Sequence, residues 1–171
     1  MNPNTEFYLV IDIEASGPSP AQYAMLSLGA ATLTQPIQTF YREFQPDSEL
    51  VNEEALKISN LSMAGLAKAG LPPKQALQEF SVWVKQVTPP GKIPIFTAFN
   101  APFDWMFVNT YFHRYLGYNP FGHKALDIKA LFMGVHRVSF EDTSHHQICE
   151  HYGIHSRLTH HALDDAIQEA K

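Results

Sequence analysis

The first apolar run, FYLVIDI from Phe7 to Ile13, is β-branched and aromatic and is closed by Gly17-Pro18. It predicts a buried strand. Met25 to Leu33 and Ile37 to Phe44 predict two more. Short loops join the three, so they are expected to pair antiparallel, with Leu26, Leu28 and Ala30 on one face. Beyond Pro46 the pattern becomes helical. Leu50 to Ile58 predicts a short helix, and Pro72 to Val87 opens on prolines and puts Ala76, Leu77, Phe80, Val84 and Val87 on one stripe. Lys92 to Ala98 predicts a fourth strand, Pro102 to Leu116 a buried helix ended by Gly117, and Lys124 to Ile128 a fifth strand. Ser144 to Tyr152 and His160 to Lys171 predict the last two helices. Strands followed by alternating strands and helices give an α/β architecture with a mixed sheet. No repeat, low-complexity stretch or linker interrupts it, so residues 1–171 are read as one domain.

Composition narrows the class. The 171 residues are 45% hydrophobic and 17% charged, with 12 Lys+Arg against 17 Asp+Glu for a net charge of −5. No apolar run approaches bilayer length, so no membrane association is expected. The single cysteine, Cys149, and the lack of a leader at MNPNTEF point to a reducing, cytoplasmic setting. The acidic balance excludes a protein that coats nucleic acid by bulk charge, since counterion release needs many cations. It leaves room for an enzyme that grips one strand end.

Three places carry chemistry. Asp12 and Glu14 stand at i and i+2 in the first strand, so the pleat sends both carboxylates out of one face. There they either meet water at a strand end or share a hard divalent cation such as Mg²⁺ or Mn²⁺. Asp104 lies between Phe103 and Trp105 at the start of an apolar helix, as a dipole-stabilised acid or as another ligand. Asn100, just upstream, is a candidate to cap or orient that turn. Near the end, His160 and Asp165 converge only if His160 precedes the helix, while Asp164 faces solvent. His161 competes with His160 for the same role. His146, His151 and His155 recur around Cys149, but without a paired C-x-x-C or HExxH context they read as surface or core residues rather than a zinc site.

Together these residues resemble the DEDDh exonucleases, the family of polymerase proofreading subunits, oligoribonuclease and ribonuclease T. The family's D-x-E motif matches Asp12-Ile13-Glu14-Ala15-Ser16-Gly17. Its N-x-x-F-D matches Asn100 to Asp104, and H-x-A-L-x-D-A, shifted across a double histidine, matches His160 to Ala166. Glu54-Ala55-Leu56, Asn119-Pro120-Phe121, Asp127 and the Ala-Leu pair at 130 and 131 look like ribonuclease T segments, whereas Ile58 stands where ribonuclease T has an aromatic. The resemblance implies a ribonuclease-H-like mixed five-stranded sheet flanked by helices. It implies two Mg²⁺ or Mn²⁺ ions held by Asp12, Glu14, Asp104 and Asp165, with His160 as general base. The reaction implied is 3′ to 5′ hydrolysis of single-stranded RNA or DNA to nucleoside 5′-monophosphates.

Single-strand binding by a chain with few cations leans on stacking. Leu56, Ile58, Phe103 and Phe121 are the stacking candidates, with core packing the competing reading for Leu56 and Phe103. Backbone groups of Ala15, Ser16 and Gly17 are expected near the terminal ribose, and Glu54 near the 3′ hydroxyl. A homodimer and a polymerase partner are implied by the same relatives. A binding or proofreading module that keeps this fold, and a phosphoesterase acting on small nucleotides, are the competing functions.

Overall fold

The computed structural model describes residues 5–171; the leader reading falls partly on residues 1–4, outside that range. Its central sheet is formed by β1 (Glu6–Ala15), β2 (Met25–Thr32), β3 (Thr39–Glu43), β4 (Ile93–Ala98) and β5 (Ala125–Asp127), in the order β3-β2-β1-β4-β5. β1, β2 and β3 pair antiparallel, while β4 and β5 are parallel to β1 and to each other. The helices are α1 (Glu53–Ser59), α2 (Met63–Ala69), α3 (Pro73–Val87), α4 (Ala101–Leu116), α5 (Ile128–His136), α6 (His145–Tyr152) and α7 (Ala162–Glu169), with a 3₁₀ turn over Phe140–Thr143. The expected mixed five-stranded α/β fold is the one observed.

β1 divides the molecule by its pleat. Leu9, Ile11, Ile13 and Ala15 enter the main core, where Leu77, Phe80 and Val84 of α3 meet Phe107, Tyr111 and Phe112 of α4. Asp12 and Glu14 therefore leave by the other face, where Asp12 pairs with Gly29 and Glu14 with Ser27 of β2. α7 packs on that side against β1 and β2. The approach is so close that a Cβ on Gly29 would lie 2.3 Å from the backbone of Ala162.

Several elements depart from the sequence pattern. Leu26 does not share a face with Leu28 and Ala30. The register jumps from Glu14 opposite Ser27 to Ala15 opposite Met25, leaving Leu26 as the extra residue of a bulge, packed with Ala24 and Leu66. α2 was not expected, since its turn is rich in small residues; Ser62 starts it by accepting from the Gly65 N–H. α5 was hidden by overlap: Asp127 ends β5 and also caps α5 through the Lys129 N–H.

A partly exposed polar knot ties the loops around the end of β1. Tyr111 donates its hydroxyl to Asp47 and accepts from the Met25 N–H at 2.7 Å. Arg114 and Tyr115 also reach Asp47, at 2.9 and 2.6 Å, and Arg114 holds the Pro20 carbonyl.

Gly29→Ala forces α7 off the sheet. Overpacking of this kind costs about 1–3 kcal/mol, and the thermal unfolding midpoint is expected to fall accordingly; an unchanged midpoint would show that α7 is not seated on Gly29.

Candidate active site

The ladder between β1 and β4 ends at Val10 opposite Thr97, while β1 runs on to Ala15. The projecting end of β1 has backbone groups free on its β4 side, and α4 supplies the partner: Asp104, in the first turn of α4, accepts the Ile13 N–H at 3.1 Å. Asp104 is only 3% exposed. The turn into α4 passes through Asn100 in the left-handed region (φ 63°), which Asn tolerates better than most residues. Its side chain makes no cap hydrogen bond. The Ala101 N–H goes instead to Asp127 at 3.3 Å.

The second half of the site comes from α7 and the loop before it. Asp165, also 3% exposed, takes the Thr159 N–H and hydroxyl on one oxygen, at 2.7 and 2.9 Å, and the His160 N–H on the other at 2.8 Å. Those bonds hold His160 in a left-handed conformation (φ 58°) that costs a non-glycine residue about 1–3 kcal/mol, and they leave its imidazole exposed. His161 turns elsewhere: its ring stacks on Tyr41 at 4.7 Å and its Nδ1 lies 3.4 Å from the exposed Asp164.

Asp12, Glu14, Asp104, Asp165 and His160 line one cavity of ≈380 Å³. Glu169, which the sequence pattern did not single out, lines it too, and its carboxylate accepts the Phe99 N–H at 3.1 Å. It sits one turn beyond Asp165 on the same helical face, and that i, i+4 spacing was the available signal. Lys129 is the cavity's one lysine.

The electrostatics are those of buried carboxylates with no ion-pair partner among the described residues. Burial pushes Glu14 up to about 8, with Asp165 adding to it. Burial first, and then neighbouring acids, hold Asp12 and Glu169 well above the carboxylate range. Burial does the same to Asp104 against the opposing pull of the Ile13 N–H. Once a cation displaces those protons, clustered carboxylate oxygens fit a hard divalent ion. Glu14, His160 and Asp165 bring donor atoms within 4.8 Å of one another, the one such group among the described residues. The histidines around Cys149 form no comparable set; His151 packs on Phe132 and His136 instead.

A second cleft of ≈310 Å³ adjoins the first through Glu14 and Phe103 and is lined by Ala15, Gly17, Asn52, Glu54 and Ile58. Asn52 caps α1 and gives its own N–H to the Ser16 carbonyl at 2.7 Å, tying α1 to the end of β1. Ser16 itself is buried, its hydroxyl spent on the Leu50 carbonyl and the Ala24 N–H. Two expected stacking residues are placed away from this cleft. Phe121 is 5% exposed, wedged between Phe80 and Phe96, so its ring has no face for a base. Leu56 packs on the Leu26 and Leu66 cluster.

An acid-lined cavity at the carboxyl ends of the central strands of a ribonuclease-H-like sheet defines a nucleic-acid hydrolase. The chain belongs to the exonuclease family, whose model matches residues 9–171, and is a 3′ to 5′ exonuclease of the DEDDh type. It is 38% identical over 171 residues, all of this chain and 91% of the relative, to the 3′-5′ DNA exonuclease Cap18 of Escherichia coli. The nuclease domain of 3′hExo, a DEDDh family member solved with rAMP, superposes with a TM-score of 0.81 at 17% identity, over 99% of this chain and 90% of that one. Exonuclease I of E. coli, solved with a dT13 oligonucleotide, gives 0.75 at 15% identity, over 96% of this chain. The chain spans 39% of exonuclease I and 58% of a full-length 3′-exonuclease. Among the described residues no helix is long and apolar enough to cross a membrane.

Two outcomes follow from the crowded acids. Without divalent ions the folded protein keeps protons that the unfolded chain releases above about pH 4.5, so its stability falls as pH rises from there to about 8. The unfolding midpoint in chelator is therefore expected to be lower at pH 8 than at pH 5, and Mn²⁺ to restore it most at pH 8; a midpoint indifferent to both contradicts this. Glu169→Gln keeps an acceptor for Phe99 and removes a charge, so it is expected to raise the metal-free midpoint. Glu169→Ala strands that N–H and is expected to lower it, by about 1–3 kcal/mol of stability.

Proposed function

We propose that this exonuclease removes nucleotides one at a time from the 3′ end of single-stranded DNA, releasing nucleoside 5′-monophosphates, and that residues 1–171 act as one catalytic unit. The observation that carries the reading is the junction of the acid cavity with the adjoining cleft at Glu14 and Phe103. A terminal nucleoside seated in the cleft brings its phosphodiester to the acids. The DNA exonuclease that shares 38% identity across the whole chain favours DNA over RNA.

Asp12, Glu14, Asp104 and Asp165 would hold two Mg²⁺ or Mn²⁺ ions. Bound there, the ions supply neutralisation of phosphate charge and a lowered pKa for water. The protein's own groups do the rest. His160, at the rim and fixed by its own N–H to Asp165, takes the proton from the attacking water; imidazole is the side chain suited to base work near neutral pH. Glu54, exposed on α1 and in the cleft, accepts a hydrogen bond from the free 3′ hydroxyl. Ile58, 47% exposed, and Phe103 offer apolar surface to the terminal base. The backbone of Ala15 and Gly17 lines the sugar.

The test is digestion of 5′-labelled single strands of DNA and RNA with Mg²⁺ or Mn²⁺. A ladder shortening from the 3′ end is expected, faster on DNA, and a 3′-phosphate block is expected to slow it. Asp12→Ala abolishes activity, His160→Ala lowers kcat about 10²–10⁴-fold, and His161→Ala stays within a few fold. Full activity in Asp12→Ala, or a dominant loss in His161→Ala, overturns the assignment.

A further inference from the structure

The cleft for the terminal nucleoside accounts for one side of the acid cavity. A third depression adjoins the cavity through Leu158 and His160 and is lined by His145, His146, Ser156 and Arg157. The cleft holds Glu14 and Glu54 and no lysine or arginine, so it has nothing to offer a run of phosphates. The cations stand elsewhere, with Lys129 in the cavity wall and Arg157 in the third depression.

Both are free of ion pairs among the described residues. Among the described residues Arg42 is paired with Glu79 and Arg114 with Asp47, whereas neither Lys129 nor Arg157 has a carboxylate within salt-bridge distance. Lys129 is held at its ammonium and Arg157 through its backbone. The Lys129 ammonium lies 4.3 Å from the centroid of the Phe140 ring and 5.7 Å from that of Phe99. The backbone at Arg157 is tied to α7, since Gln168 donates to the Arg157 carbonyl at 3.3 Å and accepts from the Ser156 hydroxyl. α7 also carries Asp165 and Glu169, so Arg157 is tied to the same helix as two of the acids. Phe140 is 53% exposed, leaving an aromatic surface in water beside a cation. Charge that tracks a backbone, interleaved with open rings that take bases, is how single strands are held without sequence preference.

We propose that Lys129, Phe140 and Arg157 form a grip for the strand on the 5′ side of the bond being cut, the cations meeting its phosphates and Phe140 stacking on a base. The grip rests on the exonuclease reading of the acid cavity. It makes affinity depend on the length of strand beyond the terminal nucleotide, and it supplies the cations that an acidic chain needs next to its own carboxylates.

Anisotropy of labelled single-stranded DNA and steady-state kinetics test it together, comparing a dinucleotide with a strand of about a dozen nucleotides, within the span of one such site. In the wild type, affinity is expected to rise with length. In Lys129→Ala/Arg157→Ala the rise is expected to shrink at least fivefold. The slope of log affinity against log salt is expected to fall by about 0.7 for each lost phosphate contact, and KM to change more than kcat. Phe140→Ala is expected to lose part of the length gain with the salt slope kept. A double variant that gains as much with length as the wild type, or loses equally on both lengths, overturns the grip. A wild type that binds with this length dependence but releases no nucleotide refutes the exonuclease reading and leaves the grip standing.

Discussion

Five carboxyl groups share one cavity at the end of β1, and the cost of burying acids together is the constraint around which this end of the molecule is arranged. Asp12 and Glu14 are committed to it by the pleat of the central strand, while Asp104, Asp165 and Glu169 are brought in from helices. The three helical acids are each anchored by a backbone N–H: Ile13 for Asp104, His160 and Thr159 for Asp165, Phe99 for Glu169. A hydrogen bond to a carboxylate is stronger than one between neutral groups. Four such bonds hold the three helical acids in the cavity, at the expense of stability in the metal-free protein. That trade is expected of a site whose useful state is the one with opposite charge added.

The opening for those acids is set by strand length. β4 stops pairing at Val10, five residues before β1 ends, and β2 on the other side is buried along its length. A parallel strand beside an antiparallel one creates a switch in strand order at β1, and ligand sites of α/β sheets form at the carboxyl ends of strands at such switches. Here α4 fills the gap with Asp104 rather than with an apolar side chain. On the opposite face α7 comes down on Gly29, where no side chain separates helix from strand. Close seating there brings Asp165 to within reach of Glu14.

How much of this was written locally explains what could be read from sequence. Asp12 and Glu14 follow from a two-residue period, and the apolar stripe of α3 from its helical period, so both were legible. Asp104 stood out because a charge in apolar company needs a reason, and Asp165 because it stands five residues after His160 around the start of a helix. Spacing alone does not separate His160 from His161; what differs between them is a left-handed turn at His160 and the contact of the His161 ring with Tyr41, which lies on β3. Phe121 and Leu56 looked available for stacking because exposure depends on what packs against a ring. The packing partners Phe80 and Leu26 are distant in the chain. The Asp47 knot joins residues 64 to 68 positions apart and leaves no local pattern at all.

The net charge of −5 takes on a different meaning once it is located. An acidic protein that acts on a polyanion has to separate the repulsion it needs from the repulsion it must avoid. Most other ionic side chains are spread over the surface, where Arg42 and Arg114 are tied to acids in pairs that contribute little. The acids that matter are concentrated in a cavity, where bound divalent cations would cancel them and turn a site hostile to phosphate into one that attracts it. Attraction of that kind would draw the strand to one point rather than along a surface. A chain that coated nucleic acid would need its cations everywhere; one that works on an end needs them only beside the cavity. The unpaired Lys129 and Arg157 stand in that position.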